Sequence, residues 1–140
     1  MAHHDHIHSV MTSNPRTIAQ STSLVDAARL MRDEDTGVLP IVEGERLVGV
    51  LTDRDIAIRA VAEGRDPQST TAGEIASTTL VTVDPHQPVA EAMRLMAAHQ
   101  VRRIPVTEED GRLVGIVAQA DIALAASDER VGETVAGISE

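Results

Sequence analysis

Short apolar runs alternate with stretches of helical period along the chain, and the same succession occurs twice. Thr17-Ile18 is a brief extended segment. Val25, Ala28 and Leu30-Met31 then recur at helical spacing. Ser23 as N-cap, with Asp26 three residues on, supplies a capping-box start. Val38-Leu39-Pro40-Ile41-Val42 and Leu47-Val48-Gly49-Val50-Leu51, joined by Glu43-Gly44-Glu45, predict a β-hairpin. A second helix is expected from about Asp53 to Gly64, a suitable C′ residue. The succession repeats with Leu80-Val81-Thr82-Val83, then a helix from Gln87 with Pro88 in its first position, carried by Val89, Ala92 and Leu95-Met96. Strands over Arg103–Thr107 and Arg112–Val117, around Glu109-Asp110-Gly111, close the copy. Each copy reads β-α-β-β-α.

Residue identities support the repeat. Laying Thr17–Glu43 on Thr82–Glu108 matches Thr17, Ala27, Arg29, Leu30, Met31, Pro40 and Glu43 with Thr82, Ala92, Arg94, Leu95, Met96, Pro105 and Glu108. After one inserted residue, eight of the fifteen positions of Arg46–Ala60 match Arg112–Ala126, where average composition gives about one by chance. The expected division is residues 7–64, 71–126 and a tail, 127–140, in which Val131–Ala136 is expected to pack as a short helix. Arg65–Thr70 is a polar linker, and Thr71-Ala72-Gly73-Glu74 offers a capping box.

Composition narrows the chemistry. The 140 residues hold no Cys, Phe, Tyr or Trp, and all 12 basic residues are Arg. Thiol catalysis, disulfides and cysteine–zinc sites drop out. So do Schiff-base lysines and the P-loop lysine. With 22 acidic residues and a net charge of −10, and without aromatics to stack bases, nucleic acid is not an expected partner. No apolar run reaches the ~18–20 residues of a membrane span, and no signal-peptide pattern opens the chain. A soluble, cytoplasmic protein is expected. No nucleophile–base–orienter set is evident, so no enzyme is expected.

Val10-Met11-Thr12, Leu39-Pro40-Ile41-Val42 and Gly49-Val50-Leu51-Thr52-Asp53-Arg54-Asp55-Ile56 together resemble a CBS domain. Val101-Arg102-Arg103-Ile104-Pro105-Val106 and Gly115-Ile116-Val117-Ala118-Gln119-Ala120-Asp121-Ile122 repeat the pattern. The resemblance covers about residues 7–126. It implies an α/β (α+β) fold in which the two β-α-β-β-α repeats form a pseudo-two-fold CBS pair, or Bateman module, with ligand clefts drawing on both copies. It also implies a stand-alone regulator of an unknown effector protein, commonly a homodimer formed through its helices. The implied ligand is AMP, ADP, ATP or S-adenosylmethionine, with no cofactor required. The alternative is a ligand-free dimeric scaffold.

Candidate residues follow from the resemblance. At the strand-to-helix turn, the Thr52 hydroxyl would donate to a phosphate and Asp55 would accept from a ribose diol. Equally, both residues fit as helix cap and dipole complement. In the second copy Asp121 is kept, Ala118 replaces the hydroxyl, and Arg102 and Arg103 stand where phosphate ligands are expected. Solvated strand-edge charge is the other account of that Arg pair. Ile18, Val38, Leu39 and Pro40, or Val83, Ile104 and Pro105, would line an adenine slot, with backbone near Thr17 and Thr82 reading the base edge. All of these apolar residues also suit an ordinary core.

His3, His4, His6 and His8, with Asp5, form a terminal cluster whose imidazoles suit zinc, nickel or copper. Ordering a chain end costs entropy and no Cys completes a tetrahedral site. Adventitious binding is therefore preferred to a resident metal. His86 and His99 read as isolated surface residues.

Overall fold

The computed structural model describes residues 6–126, which form parts of two compact units. The tail expected to pack as a short helix lies outside the described residues. Unit 2 takes Pro15–Leu80 together with Glu109–Leu113, and unit 1 takes the remainder of the chain. The first strand, β1 (Thr12–Ser13), therefore belongs with the second repeat.

In unit 2, α1 (Leu24–Glu34) starts where its cap predicts: the Asp26 N–H donates to Ser23 Oγ at 3.1 Å. It ends at Asp35, which adopts a left-handed φ of 51°. The hairpin of β2 (Val38–Glu43) and β3 (Arg46–Thr52) pairs Val38 with Thr52 and Glu43 with Arg46, with an irregularity at Ile41/Val42. Gly44 turns the chain at φ +65°, a conformation that glycine adopts without a Cβ penalty. Ile18 forms a single parallel bridge to Ile41, which is the expected short extended segment. Ile18, Leu24, Ala27, Met31, Leu39, Ile41 and Leu51 pack the core.

The helix expected after β3 begins at Asp53, but only one turn is α-helical (α2, Asp53–Asp55). Ile56–Val61 continues as a π-helix. Gly64 follows at φ +72°. The short α3 (Ala72–Ile75) opens on Thr71, whose N–H and hydroxyl both donate to Glu74 Oε2, at 2.6 and 3.0 Å. Those bonds, the backbone one foremost, hold the Glu74 carboxyl below its ordinary pKa, with Arg65 adding to the effect.

Unit 1 repeats the plan. Its α4 (Val89–His99) matches α1 in length and also ends on a left-handed residue, Gln100 at φ 54°. Pro88 was expected inside the helix. Its ψ of 150° is extended, so it is the N-cap, and Val89 is the first helical residue. β4 (Arg103–Thr107) and β5 (Leu113–Ala118) form a sheet with β1 in the order β1-β5-β4. Val83 bridges Val106 in parallel as Ile18 bridges Ile41. A last helix, α5, is described over 119–126. Ile7, Val83, Ala92, Met96, Ile104, Val106, Val117 and Ile122 form the core.

Gly115 explains how β1 fits. Thr12 and Ser13 pair with Ile116 and Gly115. A Cβ on Gly115 would stand 2.9 Å from the Thr12 carbonyl oxygen, so a side chain there would force the strands apart. Among the described residues no helix is long and apolar enough to cross a membrane.

Candidate functional site

Both repeats bring the start of a strand onto the start of a helix through one backbone bond. In unit 2 the Asp53 N–H donates to the Gly37 carbonyl at 2.8 Å. In unit 1 the Gln119 N–H donates to the Arg102 carbonyl at 2.7 Å. The side chains clothing these two junctions differ in charge, and that difference separates their chemistry.

In unit 2 the junction is acidic. The Thr52 N–H donates to Asp55 Oδ2 and the Asp55 N–H donates to Thr52 Oγ1, both at 3.0 Å. This reciprocal capping box leaves the Thr52 hydroxyl proton free to donate and Asp55 Oδ1 free to accept. Both residues are half-buried. Asp53 lies against Gly37, where an added Cβ would come within 2.7 Å of the carboxylate. A side chain at position 37 would require the Asp53 carboxylate to move aside.

In unit 1 the junction is basic. Arg102, Arg103, Ala118, Gln119, Ala120 and Ala123 line a pocket of about 430 Å³. Arg102 and Arg103 are exposed, and among the described residues neither is paired with a carboxylate. Ala118 takes the place of Thr52 but has no hydroxyl. The first N–H groups of α5 have no acceptor within the helix. The one that Thr52 covers in unit 2 therefore has no side-chain cap in unit 1. Exposed guanidiniums at a helix start that lacks a side-chain cap favour an anion.

The other candidates fall mainly into the cores. Ile18, Leu39, Val83 and Ile104 are at most 7% exposed, and Pro40 and Pro105 are buried as well. Thr17 is exposed, while Val38, Thr82 and Asp121 are half-buried. Gln119, Ala120 and Ala123 of the pocket were not singled out from the sequence. Only the turn position of Gln119, opposite the Arg pair, could have indicated them. A second, mostly apolar pocket of about 450 Å³ lies in unit 1, lined among others by Met93, Val101 and Ile122. His3 and His4 lie outside the described residues. His6 and His8 are both exposed.

Two tandem β-α-β-β-α repeats, each with its strand-to-helix junction, define a two-copy module. The sequence model of the CBS domain matches residues 7–61 and 72–128. The chain is 41% identical over 134 residues to the CBS domain-containing protein YhcV of Bacillus subtilis (strain 168), covering 95% of this chain and 94% of that one. A crystal structure of Hypoxic Response Protein I with two coordinated zinc ions matches with a TM-score of 0.78 at 44% identity, over 84% of this chain and 96% of that one. CBSX2 in complex with AMP shares the fold, with a TM-score of 0.79 at 24% identity, over 90% and 98% of the two chains. This chain belongs to the CBS domain family and carries two copies in tandem.

Proposed function

We propose that this chain is a regulatory protein, not an enzyme, that binds an adenosyl ligand and passes its bound state to an effector protein. The observation that carries this reading is the basic pocket of unit 1. Two adjacent guanidiniums, without carboxylate partners among the described residues, in a chain of net charge −10, stand with a helix start that has no side-chain cap. That arrangement favours phosphate, and hence AMP, ADP or ATP over S-adenosylmethionine. The acidic turn of unit 2 has a different chemistry. Asp53 and Asp55 disfavour phosphate, whereas the free Asp55 oxygen can accept from a diol.

A thermal-shift panel of AMP, ADP, ATP and S-adenosylmethionine tests the reading. A ligand at ~100 times its dissociation constant stabilises the fold by about 2.7 kcal/mol. The nucleotides are expected to raise the melting temperature, and a variant with Arg102→Ala and Arg103→Ala should lose that response. No shift with any of the four would favour the ligand-free scaffold.

The scaffold reading has its own support in exposed apolar side chains. Ile58 and Val61 of the π-helix in unit 2, and Met93 and Leu124 in unit 1, are 52–65% exposed. Such residues on helices are suited to pairing with a second copy of the chain. A homodimer is expected whichever of the two readings holds. Light scattering at tens of micromolar should give twice the mass of one chain, and the mass of a single chain would refute it.

A further inference from the structure

Val101, Arg102 and Arg103 run consecutively between two pockets of unit 1. α4 ends on the left-handed Gln100, and the Val101 N–H donates back to the Met96 carbonyl at 3.0 Å. Such a helix end returns an apolar residue toward the last turn of the helix. Val101 thus joins Met93 and Met96 of α4 and Ile122 of α5 around the mostly apolar pocket of about 450 Å³. The next two residues, Arg102 and Arg103, line the basic pocket. There the Arg102 carbonyl accepts from the Gln119 N–H at the start of α5. Gln119 and Ala123 line both pockets, which are therefore neighbouring parts of one surface.

The two parts differ in what they can take. Met96 and Ile122 are 5% and 8% exposed and form the floor of the apolar part, while Met93 and Val101 stay 54% and 40% exposed. Among the described residues Gln119 alone lines it with a polar side chain. A purine carries several polar edge atoms, and one amide would leave most of them without partners. An alkyl chain has no such need and gains from leaving water. The volume falls within the usual range of small-molecule sites, about 300–1,000 Å³. The basic part offers two guanidiniums suited to a carboxylate or phosphate. A ligand that satisfies both parts has an apolar chain and an anionic head.

We propose that unit 1 binds a single-chain anionic amphiphile, with its alkyl chain between α4 and α5 and its head at Arg102 and Arg103. A monomeric amphiphile suits the site better than a lipid bilayer, because an anionic membrane surface repels a chain of net charge −10. The site shares its two arginines with the nucleotide reading but needs no nucleotide.

Calorimetric titration of the full chain with hexanoate, octanoate and decanoate, each below its micellar concentration, tests the site. Affinity is expected to rise about fourfold per methylene. Octyl phosphate should bind at least as tightly as octanoate. 1-Octanol should bind at least about tenfold more weakly, since it lacks the charge-assisted contact. Arg102→Ala combined with Arg103→Ala should weaken octanoate by the same factor and leave 1-octanol unchanged. Ala97 lines the apolar part, so Ala97→Gln sets a polar amide there and should abolish the dependence on chain length. All three positions are exposed, and these variants should keep the parent's melting temperature. Unchanged octanoate affinity in the arginine variant, or an unchanged chain-length dependence in Ala97→Gln, would overturn the proposal. So would binding to anionic vesicles alone. A dimeric parent chain that binds no octanoate would overturn it too and assign the groove to a second copy. AMP binding without octanoate binding would sink this inference and leave the nucleotide reading standing; octanoate binding without AMP binding would do the reverse.

Discussion

Replacing Ile7 with alanine is expected to destabilise unit 1 by about 2–5 kcal/mol, the usual cost of emptying a buried aliphatic site. A residue this near the chain start would ordinarily be expected to cost little. Ile7, however, is 0% exposed and packs in one cluster with Val83, Ile104 and Val117. Its N–H is also bonded to Gln87. The loss is large against a total stability of roughly 5–15 kcal/mol. Urea unfolding followed by far-ultraviolet circular dichroism measures it, since the chain has no aromatic fluorophore. Ser9→Ala, at an exposed neighbour, should stay within about 0.5 kcal/mol of the parent. An Ile7→Ala effect as small as that of Ser9→Ala would show that the first segment is not part of the unit 1 core.

The same residue marks where sequence reasoning stops. Local pattern supplied the helix of Ser23, both hairpins and the capping box at Thr71, because caps, turns and periodicity depend on neighbouring residues. Self-similarity supplied the repeat. Neither gave the packing of β1 with the second repeat, since strand pairing runs through backbone groups that every residue carries. Gly115 held the one available hint: a glycine within an apolar strand often marks a close approach, here to Thr12. The π-helix after Asp55 left no signal that we can identify, because Ile56–Val61 suits an ordinary helix equally well. Pro88 was misplaced by one residue because its fixed φ serves both an N-cap and a first helical position. Only ψ distinguishes them.

Legibility of the candidate site divides along the same line. Thr52 and Asp55 were evident as a spacing, and the spacing served two accounts, cap or ligand contact. The geometry leaves both open: one oxygen of Asp55 accepts from the Thr52 N–H, and the other has no partner among the described residues. The loss of the hydroxyl at Ala118 reads, in sequence, as a missing phosphate contact. In the fold it also uncovers a backbone donor at the start of α5, because the group that caps a helix start competes with any anion for the same N–H. That competition is a property of the turn and cannot be read from residue identity alone.

The capping box also determines how Asp55 must be tested. Removing its side chain would take away the bond from the Thr52 N–H, worth roughly 1.5–3 kcal/mol at most because its acceptor is charged, along with any ligand contact. Asp121 has no hydroxyl partner at Ala118, so alanine substitutions at the two positions would not cost the same. Asparagine is the better replacement, since its amide oxygen can still accept from the Thr52 N–H. Asp55→Asn is then expected to lose mainly the charge-assisted bonds to a diol, worth about 1.5–3 kcal/mol. That corresponds to roughly 10- to 100-fold weaker binding of whichever nucleotide the thermal-shift panel selects. Asp121→Asn should have a much smaller effect. Titration calorimetry on both variants, with unfolding curves recorded in parallel, separates affinity from stability. Equal losses would mean that the two carboxylates have equivalent roles. A larger loss at Asp121 would place the diol contact in unit 1, beside the arginines and away from Asp55.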